Sequence, residues 1–242
     1  MKSMELDEIL HSNAAYREFT KEPIPESVLY EIFDLARFSP SGGNRQGWHL
    51  VVVEDPELKT EIKRLYQLSW REYAAHVRQG LVPFAPTTNR SWVKPAVDLI
   101  AARNSEAPSE FVDTLDSVPV MLCLFVDLKQ LAVLDNGLQR QSIVGGASIY
   151  PFAENLLLAA RSFGYGGVLT TVLCRQEDEV MRLMRVPEDH ALAGLIVLGR
   201  PKTVIRRLRR SPVEEFVTYD TFYGQQFTRP ARDIHGSYPI NE

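Results

Sequence analysis

The chain reads as a layered protein in which strands and helices alternate, an α+β or α/β fold. Three observations predict this. Four short apolar runs of strand length, Trp48 to Val53, Pro119 to Val126, Tyr165 to Val172 and Ala191 to Leu198, are separated by segments whose apolar residues recur at helical spacing. The composition is that of an ordinary globular protein: 242 residues, 45% hydrophobic and 24% charged. No apolar run approaches the roughly 18 residues that would suggest a membrane-spanning helix.

The elements follow in order. Met4, Leu6, Ile9 and Leu10 have a rough helical spacing that ends near Ser12. Pro23 and Pro25 frame a turn, and Glu26 or Ser27 opens a helix to Phe38 with a broad apolar face through Val28, Leu29, Ile32, Phe33, Leu35 and Ala36. Trp48 to Val53 reads as a short buried strand. Asp55 is a natural N-cap, with Pro56 at the first position of a long mixed helix reaching Gln79. Gly80 to Pro95 holds three prolines and no period, and reads as an excursion forming a lid or part of a binding pocket. Trp70, Tyr73, Phe84 and Trp92 are candidates to cover a flat ligand there, although packing the excursion onto the body is the more ordinary use of aromatics. Glu110 to Ser117 predicts a short helix, and Pro119 to Val126 a central strand. Asp127 to Gln141 is polar and irregular. Gly145 to Phe163 is the strongest helical pattern, closed by Gly164; Pro151 requires it to start near Ser148 or to kink. Tyr165 to Val172 predicts a strand, Glu177 to Met184 a helix, and Ala191 to Leu198 a last strand ended by Gly199-Arg200-Pro201.

The stretch richest in chemistry is Ser39 to Trp48, SPSGGNRQGW. Gly42 and Gly43 permit positive φ and let the main chain approach a ligand closely. Ser41 and Asn44 supply a hydroxyl and an amide; Arg45 and Gln46 add donors suited to a phosphate, a carboxylate or a ring edge. The same residues also make plain surface turns, so composition alone leaves both readings open.

Other chemistries lack support. The formal net charge of −4 makes no electrostatic case for nucleic acid. Cys123 and Cys174, each in an apolar run without a CxxC or a nearby His, predict buried thiols in a reducing compartment. The opening MKSMELDEIL has no signal-peptide apolar core, and we expect the protein in the cytoplasm. The five histidines show no HxxxH or HxH spacing, which argues against a metal site. No GxSxG, GxxxxGK[ST] or strand-following GxGxxG is present.

SPSGGNRQGW resembles the flavin-contacting loop of the nitroreductase family, often APSGGNRQPW; Ser39 stands for Ala and Gly47 for Pro. The segment AAYREFTKEPIPESVLYEIFDLARF before it and Gly146 to Arg200 resemble the family in content and order. The resemblance implies a single α+β domain over residues 1–242, with a central, mostly antiparallel sheet flanked by helices. It implies a variable excursion at about 66–118, which tends to set the substrate, and a C-terminal arm at about 204–242. It implies FMN as cofactor, NAD(P)H and a small organic molecule as substrates, and a homodimer with flavin in the subunit interface. Arg17, Arg209 and Arg210 would hold the phosphate; Ser41, Gly42, Asn44 and Gln46 would contact ring and ribityl chain; Leu169, Thr170 and Thr171 would line the ring. No acid–base side chain is required. Ala14 departs from the family, which places a base there, so fewer cations face the phosphate. A flavin-binding protein without turnover, or a deazaflavin enzyme, remains the alternative.

Overall fold

A computed structural model describes residues 4–85 and 90–229. The strands are β1 (Trp48–Val53), β2 (Val120–Asp127), β3 (Gly166–Thr170) and β4 (His190–Gly199), in the order β1-β2-β4-β3 with every neighbouring pair antiparallel. The helices are α1 (Leu6–Ser12), α2 (Glu26–Ala36), α3 (Pro56–Arg78), α4 (Leu99–Arg103), α5 (Glu110–Asp113), α6 (Tyr150–Ser162) and α7 (Glu177–Met184).

Successive side chains of a strand point to opposite faces, and both faces of β2 are covered. Leu122 and Leu124 join Ile32 of α2 and Leu156 of α6 in one core. Met121, Cys123 and Phe125 join Ile62 and Leu65 of α3 and Val180 of α7 in the other. All of β2 except Asp127 is therefore buried, as a continuous apolar run requires. Between Leu124 and Phe125 the β2–β4 register shifts, leaving Ala193 as the extra residue of a bulge. Glycine at 167 is obligatory for the β3–β4 pairing: a Cβ there would lie 2.3 Å from the Val197 carbonyl oxygen.

Several expectations change at the edges. β1 is an edge strand with His49 and Val52 exposed and only Val53 fully buried, rather than the buried strand expected from its apolar run. α3 runs as regular helix to Arg78, through the first part of the 66–118 segment. Its cap is the expected one: Asp55 accepts from the Glu57 and Leu58 amides at 2.8 and 3.1 Å. The strong pattern at 145–163 splits into a 3-10 turn at Val144–Ser148 and α6, whose first turn holds Pro151, where no amide hydrogen is needed. β3 stops at Thr170, and Val172–Gln176 turns into 3-10 helix.

The chain divides into two compact units, residues 1–206 and 207–242. The second holds a 3-10 turn at Val213–Glu215 and an antiparallel bridge between Thr218 and Gln226, with the Tyr219 and Phe227 rings 5.5 Å apart. No helix among the described residues is long and apolar enough to cross a membrane.

Candidate functional site

The start of β1, the ends of β2 and β3 and the start of β4 lie at one end of the sheet. The loop before β1 is rigid by construction. Ser39 is buried and donates to the Ala36 carbonyl at 2.6 Å. Ser41 Oγ accepts from the Gln46 amide at 3.0 Å, and the Gly42 amide donates to Ser148 Oγ at 3.1 Å. Gly43, Asn44 and Gln46 all have positive φ, at 61°, 53° and 53°. Non-glycine residues held in that region cost of order 1–3 kcal/mol each, an expense that functional loops commonly carry. Gly42 through Gln46 are exposed. Arg45 bends back onto the Gly42 carbonyl at 2.8 Å, and Gln46 Nε2 reaches Asn44 Oδ1 at 3.3 Å.

The opposite edge gathers a second group. Ala15 bridges Gly167 in parallel, so Tyr16 and Arg17 run beside β3 toward its last residues. Tyr16 is the buried anchor, its hydroxyl donating to the Ser12 carbonyl at 2.9 Å. Arg17 is exposed; its guanidinium donates to the Ala15 carbonyl at 3.3 Å and lies 5.9 Å from the Phe111 ring. The ordinary alternative for Arg17, an ion pair with Glu18 or Glu22, is not formed: Glu22 pairs with Arg200 at 2.5 Å, and Arg17 has no carboxylate partner among the described residues. Leu169 packs over Gly194. Thr170 Oγ1 and the Tyr66 hydroxyl are 2.8 Å apart; burial raises the Tyr66 pKa, with the Thr170 bond and the Arg17 charge acting the other way. Thr171 is exposed beyond them. Ala14 is buried, so a long cationic side chain could not take its place without entering the core.

Arg17, Leu169, Thr170 and Thr171 are thus brought together. Ser41, Gly42, Asn44 and Gln46 sit across three strand spacings, about 14 Å away. Arg209 and Arg210 belong to the C-terminal unit, where both are exposed without a carboxylate partner among the described residues, and Arg210 donates to the Arg209 carbonyl at 2.8 Å.

Two cavities open at this end. One, of about 520 Å³, is mainly apolar and lies between Val126, Leu131, Gly146, Ile149 and Ala191. Tyr150 on its wall donates to the bulge carbonyl of Ala193 at 3.4 Å. The other, of about 330 Å³, is lined by Ser69, Tyr73, Phe84, Thr171, Cys174 and Arg175. Tyr73 stacks on Trp70 at 5.3 Å, so one aromatic packs the helix while the other faces the cavity; Trp92 stands 40% exposed and away from it. Sequence reasoning missed Glu72, Arg103 and Arg175, an ion cluster behind this cavity. A glutamate in a charged helix carries no local sign that it is buried. The two thiols are inert. Burial pushes both up to about 12, helped by Cys174 for Cys123 and by Glu177 for Cys174, so both are protonated at neutral pH. Cys174 is only half-buried, less than its apolar run predicts. Among the described residues no cluster of His, Cys, Asp and Glu could hold a metal ion.

Fold and site define an α+β protein with a polar, hydrogen-bonded loop at one edge of a sheet end and, at the other, an arginine without a carboxylate partner among the described residues. The nitroreductase family model matches residues 13–200, well over half the chain, and the protein belongs to that family. It is 25% identical over 220 residues to iodotyrosine deiodinase 1 of Rattus norvegicus, covering 90% of this chain and 70% of the relative. It is 25% identical over 211 residues to an NADH dehydrogenase of Thermus thermophilus, covering 84% and 90%. Among solved structures, an NADPH:FMN oxidoreductase from Vibrio harveyi complexed with NAD+ is similar with a TM-score of 0.63 at 19% identity, over 92% of this chain and 79% of that one. An oxidized iodotyrosine deiodinase bound to FMN and 3-iodo-L-tyrosine is similar with a TM-score of 0.64 at 22% identity, over 90% and 100%.

Proposed function

We propose that this protein is an FMN-dependent oxidoreductase that passes hydride from NAD(P)H to a small organic acceptor. The donor set fits the cofactor. Arg17, Arg209 and Arg210 are guanidinium groups without carboxylate partners among the described residues, the chemistry a phosphate monoester calls for. Bound FMN supplies the redox chemistry, taking up hydride and releasing it to the acceptor.

The chain's own residues bind, orient and exclude water. Arg17 offsets the phosphate charge. Ser41, Gly42, Asn44 and Gln46 offer hydrogen bonds to ring and ribityl chain from a backbone already held in shape. Leu169 would supply an apolar wall, and the main chain at Thr170 and Thr171 would meet the ring. The single observation that carries the arrangement is the separation of the two groups at opposite edges of one sheet end. One copy presents the loop and another presents Arg17 with the end of β3, so we propose a homodimer with flavin between the subunits. Two free thiols, one buried and one half-buried, favour a cytoplasmic location.

Several relatives are named iodotyrosine deiodinase, so a halogenated ring belongs among the acceptors to try, beside nitroarenes, quinones and enones. Buried Ala14, in place of a family base, favours a second reading in which flavin binds without turnover. The visible spectrum tests both. A yellow protein that bleaches with NAD(P)H and recovers colour with a quinone or nitroarene supports the enzyme; one that stays yellow supports binding alone; a colourless protein that ignores added FMN defeats both. Arg17→Gln is expected to weaken FMN binding about ten- to hundredfold, because a hydrogen bond to a charged group is worth roughly 1.5–3 kcal/mol. Fluorescence titration of the released flavin measures it.

A further inference from the structure

We propose that the cavity beside Thr171 is an anion subsite, in which Arg175 receives the carboxylate of a flat aromatic molecule. Its value for substrate choice rests on the flavin reading; its binding chemistry does not.

The argument begins with Glu72, fully buried in the middle of α3. A buried carboxylate requires a partner. Glu72 has two: Arg103 Nε at 2.5 Å and Arg175 Nε at 3.2 Å. One negative charge faces two positive ones, so the cluster carries a surplus cation. Glu177, two residues on, accepts from the Leu192 amide at 2.8 Å and pairs with neither arginine.

The surplus is presented, not hidden. Arg175 is tethered through Nε alone, and neither Nη has a hydrogen-bond partner among the described residues. The guanidinium lies 4.5 Å over the Phe84 ring, a cation–π contact. Its side chain is 36% exposed and forms part of the cavity wall. A fork held at one nitrogen with two others free matches the paired oxygens of a carboxylate.

The walls suit an aromatic ring. Tyr73 and Phe84 line the space with Pro83, and Ser69 and Thr171 add hydroxyls. Phe84 has a φ of 56°, rare for a bulky residue, and is wedged between the His76 ring at 4.6 Å and Arg175. A volume of about 330 Å³ is of the size that small-molecule sites have. Thr171, at the rim, is also the residue assigned to the flavin ring. An aromatic acid anchored at Arg175 therefore occupies the acceptor position.

Calorimetric titration of the full-length protein with benzoate and with benzamide, its neutral counterpart, tests this. We expect benzoate to bind at least tenfold more tightly than benzamide, and the preference to fall as salt is added. Arg175→Gln should abolish the preference and Arg175→Lys should restore part of it. Equal affinities, no binding of either compound, or a preference intact in Arg175→Gln would each overturn the proposal. A purely structural cluster would alter stability without touching the ratio of the two affinities. Should the variant fail to fold, the wild-type ratio and its salt dependence still decide. A colourless protein that prefers benzoate defeats the flavin reading and keeps the subsite; a yellow, NAD(P)H-bleached protein without the preference does the reverse.

Discussion

Asp135 organises the loop between β2 and α6. It is 4% exposed and accepts hydrogen bonds from the Ile143 amide at 2.8 Å, Ser142 Oγ at 2.8 Å and Arg140 Nη1 at 2.7 Å. The Ile143 amide contributes most to lowering its pKa below the usual carboxylate range; burial opposes, and Arg140, Ser142 and Val144 add to the lowering. The folded pKa lies below the unfolded value of about 3.9, so the ionised carboxylate stabilises the fold fully above that pH. The contribution is lost as pH falls from there through the folded pKa. Asp135→Asn should therefore melt below wild type at pH 7, with the gap closing in acid below pH of about 4. Thermal melts at both pH values check this; a gap of constant size would show that the charge is not what Asp135 contributes. None of this was legible beforehand, because an aspartate in a polar stretch looks solvated until its partners fold around it. The residues of the glycine-rich loop were legible, since their backbone freedom and donors are intrinsic to residue type.

At the scale of elements, periodicity served well where burial is regular. α2, α7, β2 and β4 follow from their apolar spacing, and Asp55 marks the start of α3 through its cap. It failed where a neighbour decides. β1 reads as buried from its residues but lies at an edge, and β3 ends early as Val172–Gln176 turns into 3-10 helix. The β3–β4 contact is close enough to be tested by one methyl group. Gly167→Ala would put a Cβ 2.3 Å from the Val197 carbonyl oxygen and 2.5 Å from Leu198 Cδ2. Overpacking of this kind costs roughly 1–3 kcal/mol, and we expect the melting temperature to fall by roughly 2–12 °C. A variant that melts with wild type would mean the strand pair is looser than its geometry indicates. Because β3 carries Leu169 and Thr170 and is bridged to Ala15, the same change should loosen Arg17 and weaken flavin retention.

For the whole molecule, the decisive fact is that the loop before β1 and the end of β3, the two proposed halves of the site, lie on opposite edge strands about 14 Å apart. If two copies complete each other's sites, flavin and dimer are linked: a ligand shared by the assembled form stabilises assembly by mass action. We expect sedimentation to show a dimer carrying one FMN per chain, and dilution that separates the copies to release the flavin. A monomer that keeps its FMN would refute the shared site.

The sequence by itself determined the layered α+β class, the Asp55 cap, the central strand, the glycine-rich loop before β1 and, by resemblance, the family. These depend on residue type and on spacing within about 20 positions, which local burial and backbone sterics impress directly on the chain. Only the tertiary structure decided which edge each half of the site occupies, that Glu72 is buried between two arginines, and that Arg175 keeps two donors facing a cavity. Glu72 and Arg175 are 103 positions apart. No periodicity spans that distance, and the charge balance exists only once α3 and the turn after β3 have packed together.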